Sequence, residues 1–242
     1  ATPQWVFGLS RYAFVGGDLW FARREGGVDR LAVRRPDGTV DEVAVPSGDG
    51  LATSLGSLAA HGDGIVAVAA GWTTEPAVVA VDPSGVRILR APRDLDPTWF
   101  SHPEPVTFPT TGGEVAHAVI YPPTSPDHEG PAGERPPLLV LVHGGPTGSV
   151  RTQLQLAVAY WTSRGFAVAD VDYRGSTGYG REYRHRLHGA WGILDVEDCV
   201  AVARHLADRA PGLPGGAIAA VYASPMERAQ ETAAPIARAV GC

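Results

Sequence analysis

The chain is predicted to be of the α/β class, with an all-β part leading into an α/β part. Three observations carry this expectation. Residues 1–97 consist of short alternating apolar and polar runs separated by glycine-rich turns, the signature of half-buried strands. From residue 98 to about 209, strand-length apolar runs alternate with stretches of helical period, which implies a largely parallel sheet covered on both sides. With 242 residues, 44% of them hydrophobic, the chain is long enough for a substantial core.

The first strands are expected at 11–15, 18–24, 30–34 and 40–45, divided by Gly-Gly and Asp-Gly turns. A second group follows at 54–60, 64–70, 77–81 and 86–89, with turns at Gly62-Asp63-Gly64 and Asp82-Pro83-Ser84-Gly85. Four short strands per unit of about 40 residues is the period of a β-propeller blade. Two such units cannot close a ring of roughly four to eight blades, so the reading is a remnant of a propeller, with a small sandwich as the other arrangement.

In the next part, residues 105–122 read as a hairpin about Thr111-Gly112-Gly113, followed by a Pro- and Gly-rich loop over 122–137. An apolar strand over 138–142 leads into His143-Gly144-Gly145-Pro146. A helix is expected over 153–163, a strand over 166–171, and an amphipathic helix over 192–209 with Val196, Cys199, Val200, Ala203 and Leu206 on one face. A third pattern begins near 211: a buried strand over 217–223, then a helix from Pro225 whose start, Ser224-Pro225-Met226-Glu227, is a capping box. The expected divisions are 1–97, 98–209 and 210–242.

Residues 137–209 resemble the prolyl oligopeptidase family of serine peptidases, in its acylaminoacyl-peptidase and dipeptidyl-peptidase-like branch. The resemblance rests on His143-Gly144-Gly145-Pro146, Arg164-Gly165-Phe166, the run Asp172-Tyr173-Arg174-Gly175-Ser176-Thr177-Gly178-Tyr179-Gly180, and Trp191-Gly192 with Asp195-Val196-Glu197-Asp198. It implies a partial α/β-hydrolase domain preceded by a propeller, and a parent that cleaves short peptides through an acyl-enzyme. It also implies that the Gly145 backbone N–H supplies an oxyanion-hole donor. A Gly-Gly turn lets bare amides approach a developing oxyanion; the same glycines also suit a tight turn for its dihedral angles alone. His143 is read as orienting the loop rather than as a base. Arg174 and Tyr179 are read as pins for the loop, and Asp195 and Asp198 as favourable charges at a helix start.

The nucleophile of that chemistry is missing. No Gly-x-Ser-x-Gly occurs in the sequence, and no histidine follows His205, whereas such hydrolases place Ser, acid and His in that order. Ser224 occupies the expected place, but Pro225 follows it, with no N–H to complete an oxyanion hole, and Tyr222 and Met226 replace the flanking glycines. Ser224 therefore reads as a helix cap. Since the chain also opens at Ala1 without Met, the expectation is a fragment, inactive alone.

Residues 221–233 (VYASPMERAQETA) are similar to a motif of the histidine phosphatases, the phosphoglycerate mutase relatives. That resemblance makes Arg228 a phosphate contact, and the alternative function a phosphatase-like fragment. The Arg-His-Gly nucleophile motif of that family is absent. A non-catalytic binding module is the remaining alternative.

All 20 basic residues are Arg, and the net charge is −6, which argues against nucleic acid or an anionic membrane as a partner. Cys199 and Cys242 are too few for a disulfide framework and are expected as free thiols. No apolar run of membrane-spanning length or leader pattern is present, so a cytoplasmic location is the expectation. His185 and His188 lack an obvious third ligand, and no cofactor or metal is expected. The expected partners are a short peptide, for the parent, and a second copy through an exposed sheet edge.

Overall fold

The computed structural model describes residues 8–48, 50–131, 136–145 and 147–208, together with Ala234 and Arg238. The chain divides into two compact units. One is formed by residues up to Pro97 with Arg151–Gln155, the other by Thr98–Val150 and the residues from Leu156 onward.

The first unit is all-β, as its alternating sequence dictates. Strands β1 (Tyr12–Val15), β2 (Asp18–Glu25), β3 (Val28–Arg34) and β4 (Val40–Val43) pair in sequence order into one antiparallel sheet. A minimal pair, β5 (Pro46–Ser47) and β6 (Gly50–Leu51), leads to β7 (Ser54–His61), β8 (Gly64–Gly71), β9 (Thr74–Asp82) and β10 (Gly85–Arg90). These last four form a second sheet of the same meander topology. The sheets share a core of Trp20, Leu31, Val33, Leu55, Ile65, Val79 and Val81. One buried carboxylate ties them together. Asp29 on β3 pairs with Arg11 at 2.7 Å and accepts the Leu55 N–H of β7 at 2.9 Å.

Residues 151–155 also pack in this unit. The Thr53 and Thr152 hydroxyls each donate to the other residue's carbonyl at 2.5 Å, and the Leu154 N–H donates to Gly71 O at 2.8 Å. The helix expected over 153–163 is shorter, Leu156–Thr162, and residues 151–155 run instead as an irregular segment held in this unit by these bonds.

The second unit holds β11 (Glu104–Pro109), β12 (Val115–Tyr121), β13 (Leu138–Val142) and β14 (Ala167–Asp172), with helices α1 (Leu156–Thr162), α2 (Gly180–His185) and α3 (Leu194–Asp208). The sheet order is β11-β12-β14-β13. Only β13 and β14 are parallel; β11–β12 and β12–β14 are antiparallel. The expectation of a largely parallel sheet is thus corrected for the described strands. A tight turn must reverse the chain between β11 and β12, and only the β13-α1-β14 crossover can return it in the same direction.

α3 lies on this sheet as its apolar period requires. Val196, Cys199, Val200 and Leu206 pack on Val106, Phe108, Ala118, Ile120, Ala169 and Val171. Burying a side chain such as Leu206 contributes about 1.5–3 kcal/mol. Cys199 is a free thiol with no solvent exposure, and burial pushes its ionisation well above the ordinary thiol range, with Asp198 and Asp195 adding to the shift. Since the thiolate is the reactive form, Cys199 should resist a thiol reagent in the native chain and react on unfolding; mass spectrometry of the labelled peptides checks this.

Among the described residues, no helix is long and apolar enough to cross a membrane.

Candidate functional site

The carboxyl ends of the two parallel strands, β13 and β14, carry the glycine-rich runs. Ligand sites of open α/β sheets lie at such strand ends. β13 delivers His143, Gly144 and Gly145; β14 ends on Asp172 and delivers Tyr173 through Gly180 into α2.

Gly144 and Gly145 are exposed. Gly145 has φ +67°, and its carbonyl accepts the Gly148 N–H at 2.8 Å. That conformation favours glycine whatever the loop binds. The turn is held from below by the second loop. The His143 ring stacks on Tyr173, with centroids 4.4 Å apart and planes at 19°. The Tyr173 hydroxyl donates to His143 O at 3.0 Å, and His143 Nε2 lies 2.8 Å from Ser176 Oγ. Thr177 N–H donates to Gly148 O at 2.8 Å. Burial pushes the Tyr173 hydroxyl up, with the nearby Asp195 and Cys199 adding to the shift, so it remains a neutral donor.

Asp172 is the hub. Its carboxylate accepts the Val150 N–H at 2.7 Å and the Tyr179 hydroxyl at 3.0 Å, and Asp172 O accepts the Tyr183 hydroxyl at 2.7 Å. His143 Nε2 is 3.8 Å from its Oδ1. Ser176, His143 and Asp172 therefore bring together the residue types of a nucleophilic triad. Their geometry does not make one. A triad needs the serine and the acid on opposite ring nitrogens, but here both address Nε2, and Ser176 has no solvent exposure. The three residues brace the loop.

A second buried cluster fixes the base of the Tyr173–Gly180 loop. Arg174 N–H donates to Asp198 Oδ2 at 2.7 Å, and the Arg174 guanidinium lies 2.8 Å from Asp198 Oδ1. The Thr110 hydroxyl donates to the same oxygen at 2.6 Å. The guanidinium also donates to Thr111 Oγ1 at 2.9 Å and pairs with Glu197 at 3.3 Å, while the Thr111 hydroxyl donates to Glu197. Arg174 and Tyr179 thus pin the loop. Asp198, expected as a charge serving the helix start, instead turns inward to anchor Arg174. Asp195 keeps the helix-start role, accepting the Gly192 N–H at 2.7 Å, with burial raising its carboxyl pKa.

His117 on β12 completes the surround. It stacks on Tyr179 at 3.9 Å and 3°, and its Nδ1 lies 3.0 Å from Thr107 Oγ1. Burial, reinforced by Arg186, lowers its pKa to about 4. Between the ordinary value of 6.5 and about 4, the unfolded chain binds a proton that the folded chain refuses. The contribution of His117 is therefore complete above pH 6.5 and is lost as the pH falls through that window. An NMR titration should find its ring neutral at pH 6, with a midpoint near 4.

The sequence reading missed two of these groups, Asp172 as hub and Asp198 as anchor. The available signals were an acid closing a strand before a glycine-rich loop, and an arginine in that loop without a local acid. His185 and His188 stack at 4.9 Å. Among the described residues no group of three or more His, Cys, Asp or Glu could hold a metal ion. The strand over 217–223, Ser224, the helix from Pro225, Arg228 and Cys242 lie outside the described residues.

The profile of the prolyl oligopeptidase family matches residues 152–212. The acylamino-acid-releasing enzyme of Homo sapiens is 33% identical over 114 residues, covering 47% of this chain and 14% of that enzyme. Among solved structures, a Mycobacterium tuberculosis puromycin-hydrolyzing peptidase superposes with a TM-score of 0.79 at 40% identity, covering 86% of this chain and 32% of the other. A puromycin hydrolase superposes at 0.80 and 41%, covering 88% and 32%. The chain is related to prolyl oligopeptidase-family serine peptidases of this kind. It spans about a seventh of the human enzyme and about a third of each of these solved chains.

Proposed function

We propose that this chain is a piece of a serine peptidase of the prolyl oligopeptidase family, carrying part of the propeller and the oxyanion-loop half of the hydrolase domain, and that it is inactive alone. The observation that carries this reading is the braced His143-Gly144-Gly145 turn at the end of β13, in a chain that resembles puromycin hydrolase at 41% identity over 88% of its length. In the whole enzyme the Gly145 N–H would face the oxyanion of a short peptide's scissile carbonyl, where such a donor contributes about 2.7–4 kcal/mol to the transition state. The two meander sheets, four strands each, support the reading of the first unit as propeller blades. The location proposed for the protein is the cytoplasm.

Inactivity follows from what the sequence lacks. Without a Gly-x-Ser-x-Gly or a histidine beyond His205, no acyl-enzyme can form by the route of the family. A fluorophosphonate probe tests this directly. The expected result is no covalent labelling of the full chain, and no difference between it and the Ser176→Ala and Ser224→Ala variants. Labelling that one of these substitutions abolishes would overturn the proposal, and would name the serine responsible.

A further inference from the structure

The Gly145 N–H is one half of a peptide unit whose other half is held in place. That N–H and Gly144 O belong to the same peptide group, which is trans, so the two point in opposite directions. Gly144 O lies 3.3 Å from His143 Nδ1. Whatever fixes this carbonyl therefore also aims the amide, away from the imidazole. The fit is close: a Cβ added at Gly148 would stand 2.9 Å from His143 Nδ1 and 3.0 Å from Gly144 O.

The partners of the ring select which nitrogen carries the proton. A neutral imidazole has one donor nitrogen and one acceptor nitrogen. Nδ1 faces Gly144 O, which can only accept, and the Tyr173 hydroxyl oxygen at 3.4 Å. The Tyr173 proton is already given to His143 O at 3.0 Å, so both contacts require the proton on Nδ1. Nε2 faces the Ser176 hydroxyl at 2.8 Å. That serine has no solvent exposure, and a buried hydroxyl needs an acceptor for its proton. An unprotonated Nε2 supplies it, and the stack on Tyr173 holds the ring in the plane that serves both ends.

We propose that His143, as its Nδ1–H tautomer, is the positioning residue of the Gly145 amide, a role that rests on the reading of that N–H as an oxyanion donor. The Ser176 hydroxyl donates to Nε2, and Nδ1–H donates to Gly144 O. A buried serine thus sets the aim of the amide across an imidazole ring. His143 touches no reacting atom and takes no proton from a nucleophile. The Nε2–H tautomer would set two lone pairs, on Nδ1 and on Gly144 O, against each other and release the peptide to turn. An imidazolium would add a donor on Nε2 toward Asp172 Oδ1, 3.8 Å away, and deprive the Ser176 proton of its acceptor.

Nitrogen NMR of the full chain, labelled at histidine and glycine, tests this without any turnover. At alkaline pH, where an unpaired imidazole is neutral, the His143 ring is expected to show a protonated Nδ1 and a bare Nε2; its signals are assigned by their loss in His143→Asn. Ser176→Ala removes the donor to Nε2, so the Nδ1–H share should fall and the Gly145 amide resonance should move. His143→Asn, whose short amide places an N–H near the Nδ1 position, should keep that resonance closer to its native place than His143→Gln, which reaches the Nε2 position. A ring protonated at Nε2, alone or together with Nδ1, would overturn the proposal. So would a Gly145 resonance indifferent to Ser176→Ala, or one moved equally by Asn and Gln. Those results would leave the reading of the chain as an inactive peptidase piece standing, whereas fluorophosphonate labelling would sink that reading and leave the tautomer as it is.

Discussion

Replacing Asp198 by alanine is expected to lower the stability of the α/β unit by about 3–5 kcal/mol, the cost of leaving a buried charge without its partner. Asp198 has no solvent exposure, and Arg174 is almost as deeply buried. The carboxylate accepts the Arg174 amide and guanidinium and the Thr110 hydroxyl together. Alanine would strand the guanidinium with Thr111 and a half-exposed Glu197. The loss should appear as faster exchange of the β14 and α3 amides in urea, while the β8 and β9 amides serve as an internal reference. Because the cost lies in the unpaired charge, the double variant Asp198→Leu with Arg174→Met should recover much of it. Equal losses in the single and double variants would show that the pair acts through packing alone.

Gly175→Ala is expected to cost about 2–6 kcal/mol, adding backbone strain of about 1–3 to overpacking of about 1–3. Gly175 sits at φ +112°, a conformation L-residues rarely adopt, and an added Cβ would lie 2.6 Å from both Cβ and Cδ2 of Leu187. Leu187 is buried in the core under α3 and cannot swing outward. Trimming that neighbour with Leu187→Ala should remove the Cγ and Cδ2 contacts, while the Cβ contact and the strain remain. The double variant should then be less destabilised than the two single losses summed, as chemical denaturation would show.

Much of the fold was legible because it depends on local pattern. The strand over 138–142 matches β13 to the residue, and the strands of the first unit agree to within a few residues at each end, since turn residues bound them closely. α3 was readable from its apolar stripe. The departures are non-local. The helix expected from 153 starts at Leu156, while residues 151–155 are drawn into the first unit by contacts far away in sequence, among them Leu154 to Gly71. No helix is expected at α2, whose run Gly180–His185 is short and polar, with a single buried residue, Tyr183. At the site the glycines and His143 were visible as a motif. The roles of Asp172 and Asp198 were not, because each depends on partners brought close only by folding: Val150 and Tyr179 for one, Arg174 and Thr110 for the other.

We propose that the braced Gly144-Gly145 turn is an oxyanion turn standing in this chain without the residues that would use it. Turnover of chromogenic short peptides by the purified full chain tests this most directly, with a parallel reaction pretreated with fluorophosphonate. The account predicts release no faster than in buffer, identical in both reactions. Steady turnover that survives repeated purification and disappears with the inhibitor would contradict it.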